Sequence, residues 1–377
     1  MIAPDAGGPN RGHSALDAAR ARGTTAAMAT GTLTIDLDAL ARNWKALDRA
    51  SGAGVETGAV VKADGYGLGG ERVARVLAQA GARRFFVAAA EEGAQIRNAL
   101  GPGPQICVFS GHMPGDTDMI GDLDLVPMLN SVDQLTRHME GLPGRPFGIQ
   151  LDSGMNRLGL EPAEWAAVRD IVLAAGPVLI MSHLACADEP GHPANLQQLT
   201  AFREMTDGCG VPRSLSATGG VLLGPNYHFD VTRPGMGVYG GLPFAEAEPV
   251  VGLSFPVIQT REVQPGESIG YGYTYTAAER RVVATVTAGY ADGMHRALSN
   301  RGQLWFEGTP CPILGRVSMD LITADITHLG TVPPALDLLC PEQGVDAVAD
   351  TAGTIGYEIM TALGRRYARR YVGGAGT

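Results

Sequence analysis

No apolar run in the chain approaches the roughly 18 residues needed to span a bilayer. Segments such as GAVV at 58–61 and VLIM at 178–181 stop far short of that length, so no membrane-spanning helix is expected. Positive charge is also scarce. Lys and Arg total 29 against 39 Asp and Glu, and the resulting net charge of −10 repels a phosphate backbone, which excludes nucleic acid as a partner. Cysteines are few and scattered. Cys107, Cys186, Cys209, Cys311 and Cys340 form an odd set with no CxxC pair and no histidine at finger spacing. Such a set reads as reduced thiols in a cytoplasmic protein, with neither a disulfide framework nor a metal site. Residues 1–30 lack the apolar stretch of a secretory signal and carry Asp5 and Asp17. They read as a disordered leader, or as sequence upstream of a true start at Met28.

What is present is a globular composition. Hydrophobic residues at 45% and charged residues at 18% give 377 residues enough apolar surface for a sizeable core and enough length for two domains. From residue 32 onward, short β-branched runs alternate with helix-like stretches. TLTIDL (32–37) reads as a strand, followed by a helix over 38–47 that Asp38 is placed to cap. Eight further strand candidates follow: GAVVKA (58–63), RFFVAAA (84–90), QICVFSG (105–111), LVPML (125–129), FGIQLDS (147–153), VLIMSHLA (178–185), SLSATGG (214–220) and FDVTRPGMGVYG (229–240). Ala- and Glu-rich segments of helical composition lie between them. Eight βα units with no GxGxxG after the first strand fit a closed (β/α)8 TIM-type barrel over 31–245 better than an open doubly wound sheet. After residue 245 the texture turns to β-rich runs with Gly and Pro turns. Residues 246–377 therefore read as a separate, mainly-β C-terminal domain.

The first barrel strand ends VVKADGYG, which places Lys62 at the C-terminal mouth, where barrel active sites form. A lysine in an apolar mouth loses its proton readily, and the neutral amine is the nucleophile for a Schiff base. That chemistry suits an aldolase or a pyridoxal phosphate (PLP) enzyme, and the second also requires a phosphate cradle. Tyr66 offers a hydroxyl, and RPGMG (233–237) offers the backbone N–H groups of Gly235 and Met236.

Taken in order, VVKADGYGLG, LDSGMNRLGL, SHLACADE, RPGMGVYG, GYGYTYTA, AGYADG, GRVSMD and TIGYE resemble the successive motifs of the fold-type III PLP-dependent alanine racemases. The resemblance runs from about residue 32 to residue 372. It implies a homodimer with shared active sites. Lys62 would hold PLP and act as one acid/base group. Tyr271, from the second domain of the partner subunit, would act as the other. By the same resemblance Arg157 binds the substrate carboxylate and the cofactor phenolic oxygen, and Met319 reaches the substrate from the partner chain. Arg233 stands beside the pyridine nitrogen, with His183 between it and the tyrosine. Tyr66, Ser216, Gly235, Met236 and Tyr357 fall on phosphate-contacting positions, and Tyr290 on the channel leading to the site. In the family's mechanism two opposed groups exchange the Cα proton, and cationic neighbours, here His183 and Arg233, would favour the phenolate of Tyr271.

Three departures from the family pattern stand out. Many members carry a carboxylated lysine where this chain has Gln150, which offers Arg157 a neutral carbonyl unless an anion such as chloride supplies the charge. Asp64 and Gly65 replace the usual Asn-Ala pair, and LSATGG replaces an Asn-Ser pattern around Ser216. The expected activity is interconversion of L- and D-alanine, which in a bacterium supplies D-alanine for peptidoglycan. A broader small-amino-acid racemase acting on serine is the alternative. A non-catalytic PLP-binding barrel is disfavoured, because such proteins lack the second domain and its tyrosine.

Overall fold

A computed structural model describes residues 31–374; the leader expected over 1–30 lies outside the described residues. Short strands dominate the first two thirds of the chain, and most of their residues are buried, as in a sheet covered on both faces. In chain order these are β1 (Thr32–Asp36), β2 (Glu56–Thr57), β3 (Ala59–Val60), β4 (Arg84–Val87), β5 (Gln105–Val108), β6 (Leu125–Leu129), β7 (Gly148–Gln150), β8 (Ile180–Met181), β9 (Arg213–Ser214) and β10 (Val231–Thr232). Strands β3 to β9 form a parallel sheet in sequence order. Every residue of β4 and β6 is buried.

The eighth position closes the sheet into the expected (β/α)8 barrel. On one side of β10, Asp230 N–H donates to Arg213 C=O at 3.0 Å and Arg233 N–H to Ser216 C=O at 2.8 Å. On the other side, β10 pairs in parallel with β2, Gly58 N–H donates to Thr232 C=O at 2.9 Å and Val60 N–H to Pro234 C=O at 3.2 Å.

The strand-rich remainder comprises β11 (Val251–Val263), β12 (Ser268–Ile269), β13 (Tyr275–Thr276), β14 (Arg281–Val286), β15 (Gln303–Phe306), β16 (Thr309–Pro312), β17 (Ile322–Asp325), β18 (Ala335–Leu339) and β19 (Ala368–Val372). Its main sheet runs β16-β15-β18-β11-β1-β19, with β14 on the far half of β11 and β17 on β14. Strand β1 leads the segment assigned to the barrel, yet it belongs to this second sheet. It lies antiparallel to β11 and parallel to β19. Its alternating TLTID pattern suits a sheet with one face less covered, whereas a barrel strand is buried on both faces. The first and last strands of the described residues are therefore neighbours in one sheet.

The helix after β1 spans Leu37–Ser51, and its cap is Asp36 rather than the expected Asp38. Asp36 is extended, and its Oδ1 accepts the N–H groups of Asp38 and Ala39 at 3.0 and 2.9 Å. Asp38 already lies inside the first turn, where its charge complements the helix dipole. Asp36→Ala should lower unfolding stability by about 1–2 kcal/mol, and Asp36→Asn, which keeps an acceptor, by clearly less. Urea titration followed by circular dichroism reads both. Equal losses would mean that the carboxylate does not cap.

Candidate active site

Directly after β3 the backbone makes a left-handed turn. Ala63, Asp64, Gly65 and Tyr66 take φ of 53, 55, 62 and 54°. Only Gly65 adopts this region freely, and each of the others costs on the order of 1–2 kcal/mol. A dense set of bonds holds the turn. Gly65 N–H reaches Val61 C=O at 3.0 Å, and Gly67 N–H reaches Ala63 C=O at 2.7 Å. Asp64 Oδ1 accepts Gly70 N–H at 2.7 Å, and the Glu92 carboxylate bridges Ala63 N–H (2.8 Å) and Ala88 N–H (2.7 Å). The turn fixes where the Lys62 side chain starts and brings Tyr66 back under the barrel mouth. Lys62 Nζ stands 5.8 Å from the centre of the Phe109 ring. Desolvation first, then the Arg157 guanidinium, lowers the pKa of Lys62, and Glu92 opposes them.

Tyr66 is buried, 4.4 Å from the Tyr239 ring and 6.1 Å from the Tyr357 ring between centroids. Tyr239 in turn donates to Val60 C=O at 2.9 Å. Burial raises the pKa of both Tyr66 and Tyr357, the latter to about 12, so both hydroxyls keep their protons and can donate. A Cβ placed on Gly235 would land on the Tyr66 hydroxyl, so glycine at this position keeps that hydroxyl's space open. Met236 begins a short 3-10 turn, Met236–Tyr239, whose first N–H groups lack partners within the turn. Thr218 Oγ1 accepts Gly235 N–H at 3.1 Å and Gly237 N–H at 3.3 Å.

Ser216, the expected phosphate contact, and Thr218 face different partners. The Ser216 hydroxyl donates to Tyr227 C=O at 2.7 Å, so its one proton is spent on the backbone. Thr218 Oγ1 only accepts in these bonds and keeps its proton for the cradle. In LSATGG the threonine two positions after Ser216 carries the same hydroxyl chemistry and faces the RPGMG backbone.

Arg233 is 2% exposed and, among the described residues, has no carboxylate partner. Nη1 donates to Ser214 Oγ, and Nη2 donates to Ser182 C=O at 2.6 Å. These bonds leave Nε–H, a donor suited to a ring nitrogen. Burial lowers its pKa to about 10, which still leaves it charged at neutral pH. His183 behaves otherwise. Desolvation, then the cations Arg233, Arg157 and Lys62, push its pKa down to about 3, so it is neutral above that value. In this arrangement Arg233 carries the charge, and His183 offers an imidazole that can relay a hydrogen bond. Gln150 also departs from expectation. It is buried, and its Nε2 donates to Leu158 C=O at 3.2 Å, so it holds the loop backbone beside Arg157 rather than the guanidinium itself.

Tyr271, Tyr290 and Met319 gather elsewhere, on linked loops of the second sheet. Tyr271 sits at the tip of the β12–β13 hairpin and is 73% exposed. Gly270 and Gly272 take φ of 73 and 69° to make that tip. Asn300 ties the hairpin to the GRVSMD loop, donating to Thr274 C=O at 3.2 Å and accepting Gly315 N–H at 2.6 Å. Tyr290 N–H bonds Ser318 C=O, and Ala291 N–H bonds Met319 C=O, each at 3.0 Å. Among the described residues, no hydrogen bond or ring contact joins these three side chains to Lys62, His183 or Arg233. Tyr271, Tyr273, Tyr290, Met319 and Leu321 are instead large exposed side chains on these loops.

The scarcity of lysine singles out Lys62 further. Lys45 and Lys62 are the chain's only lysines, and Lys45 is exposed on the Leu37–Ser51 helix. Glu92 in AAEEG was unremarkable in sequence because its partners are backbone N–H groups. A pair of variants separates Thr218 from Ser216. Thr218→Val should weaken binding of PLP at least several-fold with little change in melting temperature. Ser216→Ala should lower the melting temperature and leave cofactor affinity near that of the parent, as titration of the cofactor absorbance would show. The reverse pattern would return the phosphate role to Ser216.

Comparison with known proteins accounts for both halves. The family profile "Alanine racemase, N-terminal domain" matches residues 35–243, and "Alanine racemase, C-terminal domain" matches residues 250–371. A protein named alanine racemase from Cereibacter sphaeroides (strain ATCC 17025) is 68% identical over 344 residues, covering 91% of this chain and 99% of that protein. One from Rhizobium meliloti (strain 1021) is 44% identical, covering 92% and 98%. Among solved structures, the alanine racemase from Bartonella henselae with covalently bound pyridoxal phosphate superposes with a TM-score of 0.87 at 34% identity, covering 92% of this chain and all of that one. The biosynthetic enzyme from Pseudomonas aeruginosa gives 0.86 at 34% identity, covering 92% of this chain and 100% of that one. The chain belongs to the alanine racemase family.

Proposed function

We propose that this chain interconverts L- and D-alanine as a PLP-dependent homodimer in the cytoplasm, supplying D-alanine for peptidoglycan. The observation that carries the reading is Arg233. A buried guanidinium with Nε–H to spare, and no carboxylate beside it, shares the barrel mouth with Lys62, whose proton is loosened. The residues fit the cofactor. Tyr66, Thr218, Met236 and Tyr357 offer proton donors to a phosphate beside a glycine that leaves room for it. When bound, pyridoxal phosphate supplies the electron-withdrawing ring that acidifies the Cα–H of an amino acid attached through its amine.

The remaining work falls to the chain's own side chains. Arg233 is a donor without acceptor capacity, so it hydrogen-bonds a ring nitrogen without taking or keeping a proton there. The ring is then a weaker electron sink than one paired with a carboxylate, which favours return of the proton to Cα over transamination. Lys62 moves the proton on one face of Cα. Tyr271, from the partner subunit, moves it on the other face, with His183 and Arg233 behind it. Arg157 holds the substrate carboxylate, and the partner-derived Met319 loop bounds the space for the alanine methyl. Tyr290 lines the way in.

The shared site is supported by the large exposed side chains of Tyr271 and Met319, whose size and apolarity suit a protein surface rather than solvent. A two-fold dimer that sets each barrel against the partner's second sheet makes two identical composite sites. Lys62→Ala and Tyr271→Ala homodimers should each be nearly inactive in a coupled assay for D-alanine formed from L-alanine. Refolded together in equal amounts, they should recover about a quarter of the parent's activity, because half the dimers are mixed and each mixed dimer holds one intact site. Background activity in dimers proved mixed by mass spectrometry would place both residues in one chain. Activity absent from the parent itself, or higher with serine than with alanine, would contradict the substrate assignment.

A further inference from the structure

Arg366 lies just before β19 and spans two loops that the catalytic reading treats separately. Its Nε and Nη2 donate to the two oxygens of Asp292 at 2.6 and 2.8 Å, and Nη1 donates to Asp320 Oδ1 at 2.7 Å. Asp292 closes the short turn that starts at Tyr290, and its Oδ2 also accepts Gly289 N–H at 3.0 Å. Asp320 directly follows Met319. The backbone near Arg366 rests on the same turn, with Gly364 N–H on Asp292 C=O at 3.0 Å. The Asp292 side chain is 6% exposed and that of Asp320 is 55% exposed, so one arm of the contact is buried and the other faces outward.

The chemistry of the contact is specific to arginine. A planar fork makes the two parallel bonds to Asp292 and still presents a third donor to Asp320, which a lysine ammonium cannot do in one geometry. The Tyr290–Ser318 and Ala291–Met319 backbone bonds already join the two loops, and the Arg366 fork adds a side-chain tie between them. Behind the contact lies a cavity of about 180 Å³ lined by Thr287, Leu321 and Tyr367 beside the three charged residues. Among the described residues, the Thr287 and Tyr367 hydroxyls there have no hydrogen-bond partner. With room on that side, loops released from the clamp have somewhere to go.

We propose that Arg366 is a positioning residue that sets the Tyr290 turn and the Met319 loop against each other, and so fixes the mouth of the channel and the substrate-facing loop that this chain lends to its partner. Its effect on substrate rests on the alanine racemase reading; the clamp itself can be read without turnover. Asp320→Asn in the intact holoenzyme weakens the outer arm and spares the buried pair, which protects folding. It should raise KM for alanine by roughly ten-fold, within the ~100-fold that a misplacement of about 1 Å can cost, with kcat changed by less than about three-fold. Arg366→Lys should give the larger KM effect, because it weakens both arms. Cofactor absorbance should stay unchanged in both variants. Amide exchange at Tyr290 and Ala291 should accelerate several-fold, and Asp320→Glu should recover part of the KM. A lower melting temperature with KM and exchange both unchanged would overturn the proposal. A parent protein without racemase activity would refute the functional reading instead, and the exchange rates alone would then decide the clamp.

Discussion

The seam where the last barrel strand meets the first determines what the mouth can contain. Backbone bonds from Gly58 to Thr232 and from Val60 to Pro234 bring RPGMG alongside the strand that ends in Lys62. That closure sets the Tyr66 hydroxyl against Gly235 and lets Tyr239 bond Val60. An open sheet would leave these segments at opposite edges, and neither the cradle nor the Arg233 position would exist. The left-handed turn after Lys62 is the local counterpart of the same constraint. It spends backbone strain to return the chain under the mouth within four residues, and Glu92 and Asp64 offset that strain with bonds to backbone N–H groups.

Charge at the site follows from burial. Lys62, Arg157, Arg233 and His183 share a small region, with Glu92 the one acid that bears on Lys62. Three cations cannot sit together without cost. The imidazole therefore gives up its proton, and Lys62 is biased toward its neutral form. This is the condition a nucleophilic amine needs, reached without a dedicated base.

The fold was legible because its pattern is repetitive. Eight short apolar runs separated by helical stretches read as a barrel, and they are one. The partners of β1 were not legible, since a strand's neighbours are fixed by tertiary contacts hundreds of residues away; residues 32–36 meet 368–372 only in the folded chain. Lys62, Tyr66, Arg233 and Gly235 could be picked out as candidates because each belongs to a distinctive motif that follows a strand. Thr218, Glu92 and Arg366 could not, because their roles lie in bonds to backbone or to distant carboxylates. The protonation of His183 is not legible in a motif, since it depends on three cations brought together only by folding.

The central claim is that this mouth holds pyridoxal phosphate through Lys62, and the scarcity of lysine makes it unusually direct to test. Protein loaded with the cofactor, reduced with borohydride and digested, should yield one pyridoxyl-modified peptide, and mass spectrometry should place the modification on Lys62. The chain offers Lys45 as the only other lysine, and it is exposed on a helix. Modification of Lys45 in place of Lys62, or of neither, would contradict the account.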